Sequence, residues 1–99
     1  MSNFTRRDKR LCDAVFDVWL SKDMTFNSQN GFIVFAKHTK AKKIKYDYTI
    51  ESYLDNMEDK SVMYDASFGR AVAIELGGMV RYVWRSDVLT EEEMRNNDV

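Results

Sequence analysis

Two side chains in this sequence invite a reading as a nucleophile or a metal ligand, Cys12 and His38, each the sole residue of its type. A zinc site needs further cysteine or histidine at ligand spacing, and neither residue has any. His38 also sits among Lys37, Lys40, Lys42 and Lys43, a poor place to gather a cation. Cys12 falls on the apolar side of a predicted helix and reads as an inert buried thiol. No nucleophile elbow, phosphate loop or dinucleotide-binding glycine pattern is present. Gly77-Gly78 reads as a turn or a helix stop, and Glu91, Glu92 and Glu93, being consecutive, point apart as a solvated helix start. The expectation is a protein with no catalytic residue, no metal ligand and no cofactor, hence not an enzyme.

The chemistry the sequence does concentrate is positive charge. Lys37, His38, Lys40, Lys42, Lys43 and Lys45 fall within nine residues, with Tyr46 and Tyr48 just beyond. Clustered ammonium groups release counterions on meeting phosphates, which gives affinity without sequence choice and a steep fall with salt. Arg6, Arg7, Lys9 and Arg10 form a second basic group. An acidic protein surface is an equally good partner for such a strip, and lysines also protect sheet edges from aggregation. A second candidate surface, for protein, comprises Tyr53, Met57, Met63, Tyr64 and Tyr82, aromatic and methionine anchors of the kind that dominate interfaces.

These residues need elements to position them. Leu11, Val15, Val18 and Trp19 recur at helical spacing, and Cys12, Phe16 and Leu20 widen the stripe, so Thr5–Lys22 is predicted as a long first helix. Residues 25–30 read as a polar loop. Phe32–His38 and the cleanly alternating Lys43–Tyr48 are predicted to pair as a β-hairpin over 32–48. Thr49 is a candidate N-cap for a helix carrying Ile50, Tyr53, Leu54 and Met57 on one face. Residues 61–76 admit two readings. A helix over Phe68–Leu76 stopping at Gly77 is preferred, and a strand turned by Gly77-Gly78 is the alternative. Met79–Arg85 is a strand in either case. Thr90 with Glu93 three residues on is a capping-box pattern for a short terminal helix. The fold class expected is α+β, in one domain over 1–99: a long N-terminal helix, a hairpin, middle helices and a C-terminal strand at 79–85.

Three segments also carry a family resemblance: Ser67-Phe68-Gly69-Arg70-Ala71, Leu76-Gly77-Gly78 and Arg81-Tyr82-Val83-Trp84-Arg85. Together they resemble the recognition helix and wing of winged-helix domains at the C-termini of phage, plasmid and poxvirus-type primase-helicases. That resemblance covers only residues 67–85. It implies a recognition helix in the major groove, with Arg70 facing DNA and Arg81 and Arg85 in the wing. The chain is similar in general style to small phage proteins, including anti-CRISPR and host-takeover inhibitors, some of which mimic DNA. Glu51, Asp55, Glu58 and Asp59 would supply a local acidic path of that kind, or an ordinary solvated face.

The net charge of −1 conceals an asymmetry. Residues 1–50 hold ten Lys/Arg against five Asp/Glu, and residues 51–99 hold five against eleven. A lone cysteine suits a reducing compartment. No apolar run approaches the ~20 residues that span a bilayer. The expectation is a cytoplasmic protein (host cytoplasm if phage-encoded) that contacts phosphates through Lys37, Lys40, Lys42, Lys43, Lys45, Arg70, Arg81 and Arg85. Its partner would be nucleic acid or a host nucleic-acid-processing complex, without a membrane, and a homodimer is compatible. The alternative is an inhibitor that binds a host protein or nucleoprotein.

Overall fold

Strand alternation, rather than helical stripes, organises most of this chain. The computed structural model describes residues 6–55 and 64–97. They form α1 (Arg6–Cys12), β1 (Phe16–Leu20), β2 (Met24–Ser28), β3 (Gly31–Phe35), β4 (Lys40–Lys43) and α2 (Tyr48–Asp55), followed by β5 (Ala71–Leu76), β6 (Met79–Trp84), a 3₁₀ turn (Arg85–Asp87), β7 (Val88–Leu89) and α3 (Glu91–Asn97). The fold is therefore mainly β, a curled five-stranded antiparallel sheet with small helices, and the expected α+β arrangement is wrong.

The first correction is the long N-terminal helix. It stops at Cys12, and Phe16–Leu20 is a strand. The run supports both periods. Phe16, Val18 and Leu20 also alternate with Asp17 and Trp19, and these β-branched and aromatic types favour a pleated surface. Val18 and Leu20 are fully buried while Asp17 is exposed. Once β4 and β7 offer hydrogen bonds on both sides of β1, the strand buries more than an isolated helix could.

The second correction is the hairpin. Strand β3 pairs with β2, the predicted polar loop, and β4 pairs with β1 and β5. One register explains both pairings. Trp19 faces Lys40, and farther along Met24 faces Phe35. The residue numbers of opposed partners have the same sum in both ladders, so β1–β2 and β3–β4 are halves of one long hairpin bent at residues 21–23 and 36–39. At the bend Leu20 still exchanges hydrogen bonds with its neighbours across the strand (Leu20 N–H to Thr39 O, 3.0 Å; His38 N–H to Leu20 O, 2.8 Å). A turn closed by Thr39 N–H to Ala36 O puts His38 at φ 70, a left-handed conformation uncommon outside glycine.

Third, the preferred helix over Phe68–Leu76 is strand β5. It forms a hairpin with β6 in which Leu76 faces Met79. Gly77 and Gly78 both have positive φ, as a two-residue hairpin turn requires. The segment read as a recognition helix with its wing is thus one β-hairpin.

In the sheet order β6-β5-β4-β1-β7 one face carries Val18, Leu20, Ala41, Val72, Ile74, Leu76, Val83 and Val88. Burying a side chain of the Val/Leu/Ile class contributes roughly 1.5–3 kcal/mol. The bend folds the β2–β3 arm back so that Met24, Phe26 and Phe35 pack on this face. Gly77 permits the approach, because a Cβ there would lie 2.5 Å from Phe35 Cζ. Among the described residues no helix is long and apolar enough to cross a membrane.

Candidate functional site: an apolar groove

The lysine strip does not survive as a unit. In β4 the side chains alternate, with Lys40 and Lys42 exposed and Ala41 and Lys43 buried. Lys43 lies on the core face with no exposed surface, and its ammonium donates to the Cys12 carbonyl and, at 2.9 Å, to the Ala14 carbonyl. It thereby satisfies carbonyls left open at the end of α1. Burial pushes its pKa down, against the opposing pull of Cys12 and Asp13. Lys43 therefore cannot meet a phosphate.

The exposed lysines are interleaved with carboxylates. Lys40 pairs with Asp17 at 3.4 Å, and Lys42 lies opposite Asp17 on one side and Glu75 on the other. A wide cleft of about 630 Å³ beside Lys42 is lined by Asp17, Glu91 and Glu92 as well, so its charge has the wrong sign for a polyanion. Lys37 and Lys45 are exposed, and Lys37 uses its backbone N–H to bond Asp23.

The arginines are also structural. Arg81 donates through Nε to the Leu76 carbonyl at 3.0 Å, and its guanidinium lies 4.6 Å from the Phe26 ring centre and 5.3 Å from that of Phe35. It clasps the arm to the sheet. Arg85 binds Asp65 (3.2 Å), Glu93 (3.0 Å) and the Val88 carbonyl (3.0 Å), over the face of Phe68. Arg70 is half-buried just before β5.

The protein-binding candidates divide differently. Met57 and Met63 lie outside the described residues, as do Glu58 and Asp59. Tyr64 is tied to the buried Cys12, with its hydroxyl 3.0 Å from Sγ. Tyr53 and Tyr82, 68% and 42% exposed, line the same cavity of about 310 Å³. Met24 and Phe26 of the arm line it too, as do Ile50 and Leu54 of α2 and Ala71, Val83, Trp84 and Asp87 of the sheet and its 3₁₀ turn. Pockets that are mostly apolar with a few placed polar groups are the usual form of a binding site.

Besides Asp87 in the lining, a second carboxylate, Asp47, holds one of the groove's tyrosines. It caps α2, accepting from the Thr49 N–H (3.0 Å) and hydroxyl (2.6 Å), so the cap is Asp47 and not Thr49 as predicted. Its other oxygen accepts from the Tyr82 hydroxyl at 3.0 Å. The Thr49 hydroxyl first, then the Thr49 amide and Tyr82, hold the Asp47 carboxyl below its ordinary pKa, while burial and this bond raise that of Tyr82. Asp47 is thus a fixed negative charge at the hydroxyl end of Tyr82. Sequence reasoning found Tyr53 and Tyr82 but missed Met24 and Phe26. They reach the groove only because the arm bends, and nothing local in the sequence signals the bend.

Comparison with known protein families, curated proteins and solved structures finds no match to this chain.

Proposed function

We propose that the protein is a non-enzymatic binding module that holds a partner polypeptide in the groove between the arm and α2. The supporting observation is the convergence of Phe26, Tyr53, Tyr82 and Trp84 on one apolar cavity with the Asp47 carboxylate at Tyr82. Aromatic side chains over a desolvated pocket are where binding energy concentrates. The carboxylate specifies the neighbour of the anchor: an apolar or aromatic residue followed closely by Lys or Arg. This is the inhibitor or adaptor reading, in which the partner is protein.

Selection from a random-peptide display library tests it. The wild-type chain is expected to enrich peptides with an aromatic or large aliphatic residue within two positions of a Lys or Arg. The Tyr53→Ala/Tyr82→Ala double variant, folded by circular dichroism, should lose them. Failure to enrich any motif, or equal binding by the double variant, would refute the reading.

A second reading retains nucleic acid as the partner, supported by the exposure of Lys37, Lys40, Lys42 and Lys45. Its test must leave Lys43 intact. Lys42→Glu with Lys45→Glu should abolish an electrophoretic shift of DNA or RNA at low salt, and the wild-type shift should weaken steeply as salt rises. A shift that ignores both the charge reversals and the salt removes this reading.

A further inference from the structure

The outer edge of β3 is built to pair with itself. Ser28 and Gly31 close a two-residue loop, so as a bridged pair they must exchange both backbone hydrogen bonds. The alternation of an antiparallel ladder then makes Phe26–Ile33 and Met24–Phe35 hydrogen-bonded pairs as well. It follows that the N–H and C=O groups of Phe32 and Val34 point away from β2. Among the described residues nothing bonds them. Their side chains are 75% and 63% exposed, and they share a face. Natural edge strands are blunted by charge, proline or bulges, yet Gly31–Ala36 has neither charge nor proline, and its ladder with β2 runs without a bulge.

We propose that this edge is covered by β3 of a second copy of the chain, paired antiparallel about Ile33. In that register Phe32 of one copy faces Val34 of the other, twice, and these are the residues whose backbone groups point outward. Ile33 faces Ile33 as the non-hydrogen-bonded pair between them. The result is a four-stranded sheet, β2-β3-β3-β2, with Phe32 and Val34 of both copies in one apolar patch. Antiparallel pairing also sets each Lys37 beside the polar loop of the other copy at Gln29, whereas parallel pairing would stack the two lysines. The two-fold arrangement is closed and uses up the edge, so it ends at a dimer. The pairing does not depend on the groove.

Sedimentation over micromolar to about 1 mM protein reads the equilibrium. The wild type should pass from monomer to dimer with rising concentration. Val34→Pro removes one outward N–H but none inside the arm, and should be monomeric throughout with an unchanged melting temperature. Val34→Lys is the second variant and should behave alike. Under mild oxidation Ile33→Cys should cross-link to a covalent dimer, since opposed residues of such a pair have Cα atoms about 4.5 Å apart, within disulfide range. Gln29→Cys, far from its own copy in this register, should not. A wild type that stays monomeric, a dimer that persists in both Val34 variants, or equal cross-linking at position 29 would overturn the proposal.

Discussion

Lys43→Glu is expected to leave no folded protein at room temperature, whereas Lys43→Met should fold with a loss of about 2 kcal/mol. The difference follows from what surrounds the side chain. The ammonium is completely buried and donates to two carbonyls, of Cys12 and Ala14. Methionine keeps most of the stem's volume and removes a costly buried charge, but it leaves those acceptors short of a donor. The Cys12 carbonyl keeps one, the Tyr46 N–H at 3.3 Å, so only part of the penalty of about 1–3 kcal/mol per orphaned group applies. Glutamate instead brings an unpaired negative charge against carbonyl oxygens. An uncompensated buried charge costs about 3–5 kcal/mol, and the two carbonyls that lose their donor add about 1–3 kcal/mol each, which together rival the whole stability of about 5–10 kcal/mol expected for a domain of this size. Urea unfolding reads both. The methionine variant should shift the midpoint with unchanged slope, and Lys45→Ala, on an exposed side chain, should stay within about 0.5 kcal/mol of wild type. A Lys43→Glu protein with a wild-type midpoint would show that the ammonium is not buried.

Arg85→Leu should cost about 2–4 kcal/mol and flatten the acid limb of the stability curve. The guanidinium joins Asp65, Glu93 and the Val88 carbonyl, linking the turn before β5 to α3. Its bonds to the two half-exposed carboxylates are worth little singly. The bond to the Val88 carbonyl and the stacking on Phe68, 4.1 Å away, supply more. Glu93 carries the pH signature. Burial pushes its carboxyl pKa up, but the Thr90 amide, the Arg85 guanidinium and the Thr90 hydroxyl together hold it below the ordinary value. A depressed folded pKa gives stability that is fully present above the unfolded pKa and is lost as pH falls through the folded one. With Arg85 gone, burial meets less opposition, so the wild type should lose more stability than the variant on acidification below about pH 5. Asp47, depressed by Thr49 and Tyr82, contributes an acid limb that Arg85→Leu leaves in place. Melting temperatures at several pH values would show parallel curves if Arg85 had no such role.

These two residues also show where the sequence misleads. Lys43 and Arg85 both stood among the candidate phosphate contacts, and weaker binding by a variant of either would report lost stability rather than a lost contact. A charged residue in a basic cluster looks the same in sequence whether it faces solvent or a helix end. Lys43 seemed to lie on the polar side of an alternating strand with Lys45 and Asp47. The strand ends at Lys43, its inward phase is Ala41 and Lys43, and Asp47 is a helix cap.

Local signals did locate several elements. The helical stripe of Ile50, Tyr53 and Leu54 is α2, the alternation of Val80, Tyr82 and Trp84 is β6, and Thr90 and Glu93 exchange the capping-box bonds at α3. Pairing between distant segments was not legible. The Phe16–Leu20 pattern fits either period, and only its neighbours β4 and β7 decide. The residues of β2, Met-Thr-Phe-Asn-Ser, look like a loop because the arm is half exposed. One wall of the groove, Met24 and Phe26, depends on that arm.

The shared register of the long hairpin has a consequence for how the molecule assembles. A ladder that begins at the Gln29–Asn30 loop can zip through the bend to Phe16 and Lys43 by adding one neighbouring pair at a time, and β5–β6 can close on its own turn. Both are quick local events. Joining Trp19 to Leu89 instead requires closure of the segment between the two hairpins, from Lys43 to Ala71, the entropically expensive step of this topology. Docking of β7 is therefore the natural rate-limiting step, and substitutions in the arm, whose pairs form before it, should slow folding along with those at Val88.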